Sequence, residues 1–300
     1  SGRVRLENGV ISGSATFADG NGGRITIRAS TVEIVSSTIN SGTLEGSTGQ
    51  GGDLIVEAER LTVSDGGALV SVNRSEGAAG NITIKATESV ELLRNLSGAA
   101  APTAIATNAI TGNGAAGEIT IDTGRLIVSD GAGMTSSSGI GVLSRDDSFL
   151  EGGPGNNLTI RATESVEVGG ISDVEVVGRQ YPSYLTAQTT TPNPGGNIYI
   201  SAPVVTVRDG GLISAASLRG GQAGNITIDA GTVAVTGTAS NGQLSSKIEA
   251  SVGLIDILFN PNATGNAGSV NINTNSLIVR DGAAISVQAV GTGSAGNLNI

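Results

Sequence analysis

Four aspartates stand immediately before a glycine at matching places in a repeating pattern: Asp65-Gly66, Asp130-Gly131, Asp209-Gly210 and Asp281-Gly282. A column of carboxylates could hold hard cations, since calcium takes oxygen ligands at roughly 2.3–2.6 Å. The competing chemistry is conformational, because Asp-Gly accepts the positive φ of a tight turn. Spacing separates the two readings. These Asp recur only in every second repeat, so repeats stacked like β-strands would hold them about 10 Å apart. No two could share an ion, and the turn reading is preferred. The Gly-Gly-x-Gly-x-Asp nonapeptide of calcium-binding rolls is absent.

A second column is Asn81, Asn157, Asn197, Asn225 and Asn297. Some of these open Asn-x-Thr triplets, which are glycosylation acceptors in form. The repeat itself generates them just before a strand, which favours amide side chains bonding along a stack. Outward Thr26, Thr83, Thr120, Thr159 and Thr227 could form an ice-binding face. Ile55, Tyr199, Asn271 and Asn299 interrupt that column, and Thr is a good strand residue in any case. For catalysis on polysaccharides, two carboxylates in a groove with aromatic platforms are needed. The pair Asp146/Asp147 reads better as a solvated loop. With no His and no Cys there is no triad, no thiolate and no disulfide. No catalytic, cofactor-binding or metal-ligating residue is assigned, and an enzyme is not expected.

The elements that carry these columns follow from a repeat. Its signature is Gly, a polar residue, then apolar-x-apolar, as in Gly80-Asn81-Ile82-Thr83-Ile84 and Gly224-Asn225-Ile226-Thr227-Ile228. Nine such anchors are spaced by 29, 28, 37, 39, 40, 28, 44 and 28 residues, a unit near 28 with insertions. A second apolar-x-apolar pair follows seven or eight residues later (Leu61/Val63, Val90/Leu92), and a third in most units (Leu69/Ser71, Ile213/Ala215). Period two means strands with one face inward. Stacked units bury those faces together, which predicts a right-handed parallel β-helix with three sheets around a narrow core. Two kinds of coil alternate, one with Ser/Thr-Val-Glu and one with apolar-x-Val-x-Asp-Gly. The whole of 1–300 reads as one β-helix repeat region of about eight coils, a piece of a longer chain. The capping-box look of Ala86–Glu91 and Ala162–Glu167 is rejected as a helix, because helical spacing does not continue beyond it.

Composition agrees. There are 47 Gly, 3 Phe, 3 Tyr and no Trp, so Val, Ile, Leu and Ala must fill a narrow interior. A net charge of −10 repels nucleic acid and anionic lipid, and no segment has the roughly 20 apolar residues of a spanning helix. Individuality is confined to insertions near 93–116, 133–155, 169–195 and 237–267. These hold Phe149, Tyr181, Tyr184 and Phe259, the residues expected to meet partners.

Leu126-Ile127-Val128-Ser129-Asp130-Gly131, Glu164-Ser165-Val166-Glu167-Val168 and Gly224-Asn225-Ile226-Thr227-Ile228 resemble the repeats of filamentous-haemagglutinin-type large exoproteins, in particular a cyanobacterial branch. The resemblance implies two-partner secretion through an outer-membrane transporter barrel and a place at the surface of a Gram-negative-type bacterium. It also implies adhesion or aggregation through a cell-surface or extracellular glycan or protein ligand. A β-helical polysaccharide lyase or hydrolase and a passive spacer stay open beside it.

Overall fold

The structure, a computed structural model, describes residues 2–14, 19–43, 47–74, 76–94, 102–110, 112–139, 152–173, 175, 180–255 and 258–300. Within them every element is a strand, and the strands form an 11-stranded and a 9-stranded sheet plus one small hairpin. In both large sheets each strand pairs in parallel with the matching strand of the coil before and the coil after. The chain is a parallel β-helix. Half a coil (Arg3–Glu7, Val10–Ser12) precedes eight coils, and Leu298–Asn299 begins a ninth.

Two large sheets replace the three expected, and the reason is local. The first and second apolar pairs of a coil lie on one continuous strand, such as the 11-residue Leu54–Ser64. Leu54, Val56, Leu61 and Val63 all reach the core, while Glu59 and Arg60 face solvent in succession. Two outward residues in a row reset the alternation and bend the strand. Where a coil carries one residue more, the ladder slips once at this bend, between Ala58 and Arg60. The segments that mimic a capping box sit inside such strands, Ile82–Leu93 and Leu158–Gly169.

The second sheet continues the core. Ile39, Leu69, Ile105, Met134, Leu185, Ile213 and Ile248 follow one another in register and are fully buried. Beyond these strands a Gly-rich segment closes each coil, and glycine is there for room. A Cβ on Gly224 would stand 1.8 Å from the carbonyl oxygen of Gly196, and one on Gly268 1.8 Å from that of Gly224. Three residues upstream a second column is equally tight: a Cβ on Gly221 would stand 1.9 Å from the Asn193 oxygen. Neither Gly221 nor Gly224 has a positive φ. The obstacle is the neighbouring coil, stacked at about 4.8 Å.

The Gly224→Ala variant is therefore expected to lose about 2–3 kcal/mol, the upper range of overpacking, because rigid backbone must yield. Gly2→Ala, whose Cβ would meet nothing within 4 Å, should stay within about 0.5 kcal/mol of the parent in urea unfolding.

Candidate functional site

The corner between the two sheets is where the Asp-Gly pairs lie, and both residues of each pair have positive φ: Asp130 at 54° and Gly131 at 82°, Asp209 at 51° and Gly210 at 87°. The amide of the residue after the pair donates to the carbonyl of the residue before it, Gly67 to Ser64 (2.8 Å) and Gly211 to Arg208 (2.9 Å). These are type I′ turns, which demand φ > 0 twice and so select Asp-Gly. The carboxylates stay near the surface, Asp209 paired with Arg208 and Asp281 with Arg280. The described residues hold no group of three or more His, Cys, Asp or Glu arranged to grip a metal.

In the alternate coils the same corner holds a buried hydroxyl. Ser37, Thr103, Ser183 and Ser246 each accept, at 3.0 Å, the amide of the Asp-Gly or Asn-Gly glycine in the preceding coil: Gly9, Gly66, Gly131 and Gly210. Each hydroxyl donates to the carbonyl that ends its own coil's long strand: Val35 (2.7 Å), Leu93 (3.3 Å), Gly169 (2.7 Å) and Thr236 (2.7 Å). All four are at most 3% exposed. This clamp is what the alternation of two coil kinds accomplishes. The spacing hides it, because Ser37 follows the positive-φ Ser36 directly whereas Ser183 lies thirteen positions after Gly170.

That variable gap is where three insertions enter, between Arg94 and Thr103, Gly170 and Ser183, and Gly237 and Ser246. The second leaves the corner as an antiparallel stub closed by Ile171 and Pro182, the third by Thr238 and Ser245. Asn241 Nδ2 donates to Gln180 Oε1 at 3.1 Å, joining the two along one edge of the rod. A further insertion after Val252 forms the hairpin Leu254–Ile255 with Leu258–Phe259. The insertions are shorter than the sequence suggests, because Ala104–Ala109, Gly133–Ser138, Tyr184–Thr186 and Lys247–Glu249 are regular strands of the second sheet.

The four aromatics expected to meet partners are thereby separated. Tyr181 is on the second stub, half-buried, its backbone bonded to Ser172. Phe259 belongs to the hairpin, and Phe149 lies outside the described residues, as do Asp146 and Asp147. Tyr184 is not on a loop. It opens a strand beside Gly133, covers that glycine where a Cβ would strike its ring at 2.3 Å, and is 6% exposed. Burial pushes its phenol up to about 12.

Two faces flank the insertion edge. On the second sheet, outward positions of the central coils are buried and polar: Thr186, Gln188, Ser214, Glu249 and Ser251. Gln188 donates to Ser214 at 3.1 Å, and Ser214 donates to the Glu249 carboxylate at 3.4 Å. Composition gave no sign of this strip, since Ser and Thr alternate there like any surface strand. On the first sheet, the outward Thr column lies beside a column in which Arg28, Glu57, Lys85, Asp122 and Arg161 alternate in sign, coil by coil. Arg28 and Glu57 meet at 2.7 Å, Arg161 and Asp122 at 3.2 Å. The Asn column bonds as expected, each side-chain oxygen accepting the next coil's amide: Asn157 from Asn197 (3.1 Å), Asn197 from Asn225 (2.9 Å) and Asn225 from Ser269 (2.9 Å).

Bonds from Arg3 and then Arg5 hold Glu33 below the usual carboxylate range, and Arg28 does the same for Glu57. A depressed folded pKa gives stability that is present above the unfolded value and lost as pH falls through the folded one. Acidification from about pH 5 to 3 should therefore cost amides of residues 25–64 more hydrogen-exchange protection than those of 226–287. Equal loss in both would overturn this. At the turns, Asp130→Asn should be near neutral and Asp130→Val should cost about 1–2 kcal/mol, because a β-branched residue resists positive φ.

No family model and no curated protein matches the sequence. Among solved structures, the chain is similar at 19% identity to one titled as the crystal structure of a TibC-catalysed, hyper-glycosylated TibA fragment. The match covers 95% of this chain and 99% of that one, with a TM-score of 0.14, and at that level it carries no argument.

Proposed function

We propose that this chain is the shaft of an exported bacterial surface protein and that it contributes to adhesion or aggregation through its insertion-bearing edge. The observation that carries the reading is the contrast between that edge and the rest of the rod. The faces of the first sheet repeat coil after coil with Thr, Asn and matched charges, which suits a rigid, soluble spacer. Irregular chain leaves the stack at one corner at 171–182 and at 238–245, and the two excursions meet there through Gln180 and Asn241. Loops on a rigid scaffold are where recognition concentrates. Export through an outer-membrane transporter barrel belongs to the same proposal, and its support is the resemblance of the repeats. A spacer that binds nothing and a polysaccharide-acting enzyme are the competing readings.

Beads coated with the full chain separate the three. They should bind bacterial or host-type cell surfaces, or one another. Replacing 171–182 and 238–245 by the direct junction seen at Ser36-Ser37 should abolish that binding while leaving the β circular-dichroism signal intact. Retained binding would sink the edge, no binding by either form would favour the spacer, and turnover of pectin-like or alginate-like polymer would favour the enzyme.

A further inference from the structure

The hydroxyl clamp crosses only one of the two kinds of interface between coils. It always runs from a hydroxyl coil back to the Asp-Gly or Asn-Gly coil before it: Ser37 to Gly9, Thr103 to Gly66, Ser183 to Gly131, Ser246 to Gly210. The opposite interface, from an Asp-Gly coil back to the hydroxyl coil before it, has no such clamp among the described residues. There the backbone ladder continues, as in Ala68 to Ser37 (2.8 Å) and Leu212 to Ser183 (2.9 Å), and the same ladder runs across the clamped interfaces, as in Tyr184 to Ala132 (3.1 Å). The corner's added side-chain bond at an unclamped interface is Ser36 Oγ to the Asp65 carbonyl at 2.9 Å, and it is exposed to water. Backbone pairing is thus common to both interfaces. The clamp adds to one of them a buried inter-coil hydrogen bond whose hydroxyl is held by a second bond within its own coil, and leaving the glycine amide without its acceptor would strand a buried donor.

Charge does not follow this division. Ion pairs cross clamped interfaces at Arg60–Glu88, Arg125–Glu164 and Arg161–Asp122, and unclamped ones at Arg24–Asp53, Arg28–Glu57 and Arg208–Glu167. Between the coils beginning at Ile82 and Ile119, which are unclamped, no ion pair occurs among the described residues. The insertions at this corner, at 171–182 and 238–245, enter between the positive-φ residue and the clamp hydroxyl, so both ends of each are tied within one hydroxyl coil and the glycine beneath it. The bond between two insertions, Asn241 to Gln180, reaches across the whole Asp-Gly coil between them, one unclamped and one clamped interface, and is exposed.

We propose that the cooperative unit of this rod is a pair of coils, an Asp-Gly coil with the hydroxyl coil stacked on it, and that the rod opens at the unclamped joints between pairs. Solenoid stability is a sum of unit and interface terms, so unequal interfaces group the coils and set where local opening occurs.

Native-state hydrogen exchange of the full chain in rising denaturant tests this. Amides of 119–139 and 158–186 should share one exchange isotherm, while those of 82–109 follow another. Merging of 82–109 with 119–139, with 158–186 left apart, would overturn the proposal, and so would one isotherm for every coil. In the Ser183→Ala variant, the Gly131 amide should exchange at least tenfold faster, and the isotherms of 119–139 and 158–186 should separate. Those of 82–109 should not move. The Ser183→Thr variant keeps the hydroxyl and should restore the pairing. An unchanged Gly131 rate in Ser183→Ala would also overturn it. Should that variant fail to fold, the parent's grouping of isotherms and the Ser183→Thr result decide the matter.

Discussion

A parallel stack allows about 4.8 Å between one coil and the next, and everything along the rod axis has to fit in that gap. Side chains pointing inward or outward are unaffected by it. A Cβ pointing along the axis is not, which is why the closing segment of each coil is built from glycine, with the Gly196 oxygen within 1.8 Å of where a Cβ on Gly224 would lie. The same gap sets the polar chemistry. Short side chains bridge it next to the backbone: Asn197 onto Asn157, Ser183 onto Gly131, Asp53 onto Asn81. Arginine bridges the coils on the open outer face, where Arg28 reaches its register partner Glu57 in the next coil.

Within that constraint the two coil kinds divide the work of turning a corner. One kind turns with its backbone alone, in a type I′ turn whose glycine amide is left pointing along the axis. The other supplies the hydroxyl that this amide requires. A chain made only of Asp-Gly coils would strand a buried donor in each coil, and a chain made only of hydroxyl coils would give the hydroxyls no glycine amide to accept. Alternation resolves both, so the two-coil period is a consequence of hydrogen-bond accounting at one corner.

What was legible in the sequence is what repeats at fixed distance. Leu54/Val56 and Leu61/Val63 announced inward strand faces, Asp130-Gly131 its turn, and Asn197-Asn225 a bonded column. Three features were hidden, each for a physical reason. The bend at Glu59-Arg60 looks like a loop in a pattern of alternation, although two successive outward residues bend a strand without ending it. The strands Ala104–Ala109 and Gly133–Ser138 carry Thr107 and Ser136 at inward positions, where they bond the Gly117 carbonyl, so hydrophobic alternation fails just where polar side chains close the coil. The clamp pairs residues whose distance from the turn changes with every insertion. Tyr184 falls within the long interval between repeat anchors, where an insertion is expected, yet its ring fills the space above Gly133.

These constraints also say where the molecule is free to vary. On the first sheet each outward residue faces its counterpart one coil above and one below, so changing Glu57 disturbs Arg28. Alteration there is coupled along the rod. At the clamped corner the chain can leave and return between two fixed points, Gly170 and Ser183, without moving a single inter-coil bond. An insertion at that place is mechanically independent of the stack while remaining rigidly positioned by it. A rod that must present something to a partner, yet keep its stacking intact, has in this corner a place where both demands are met.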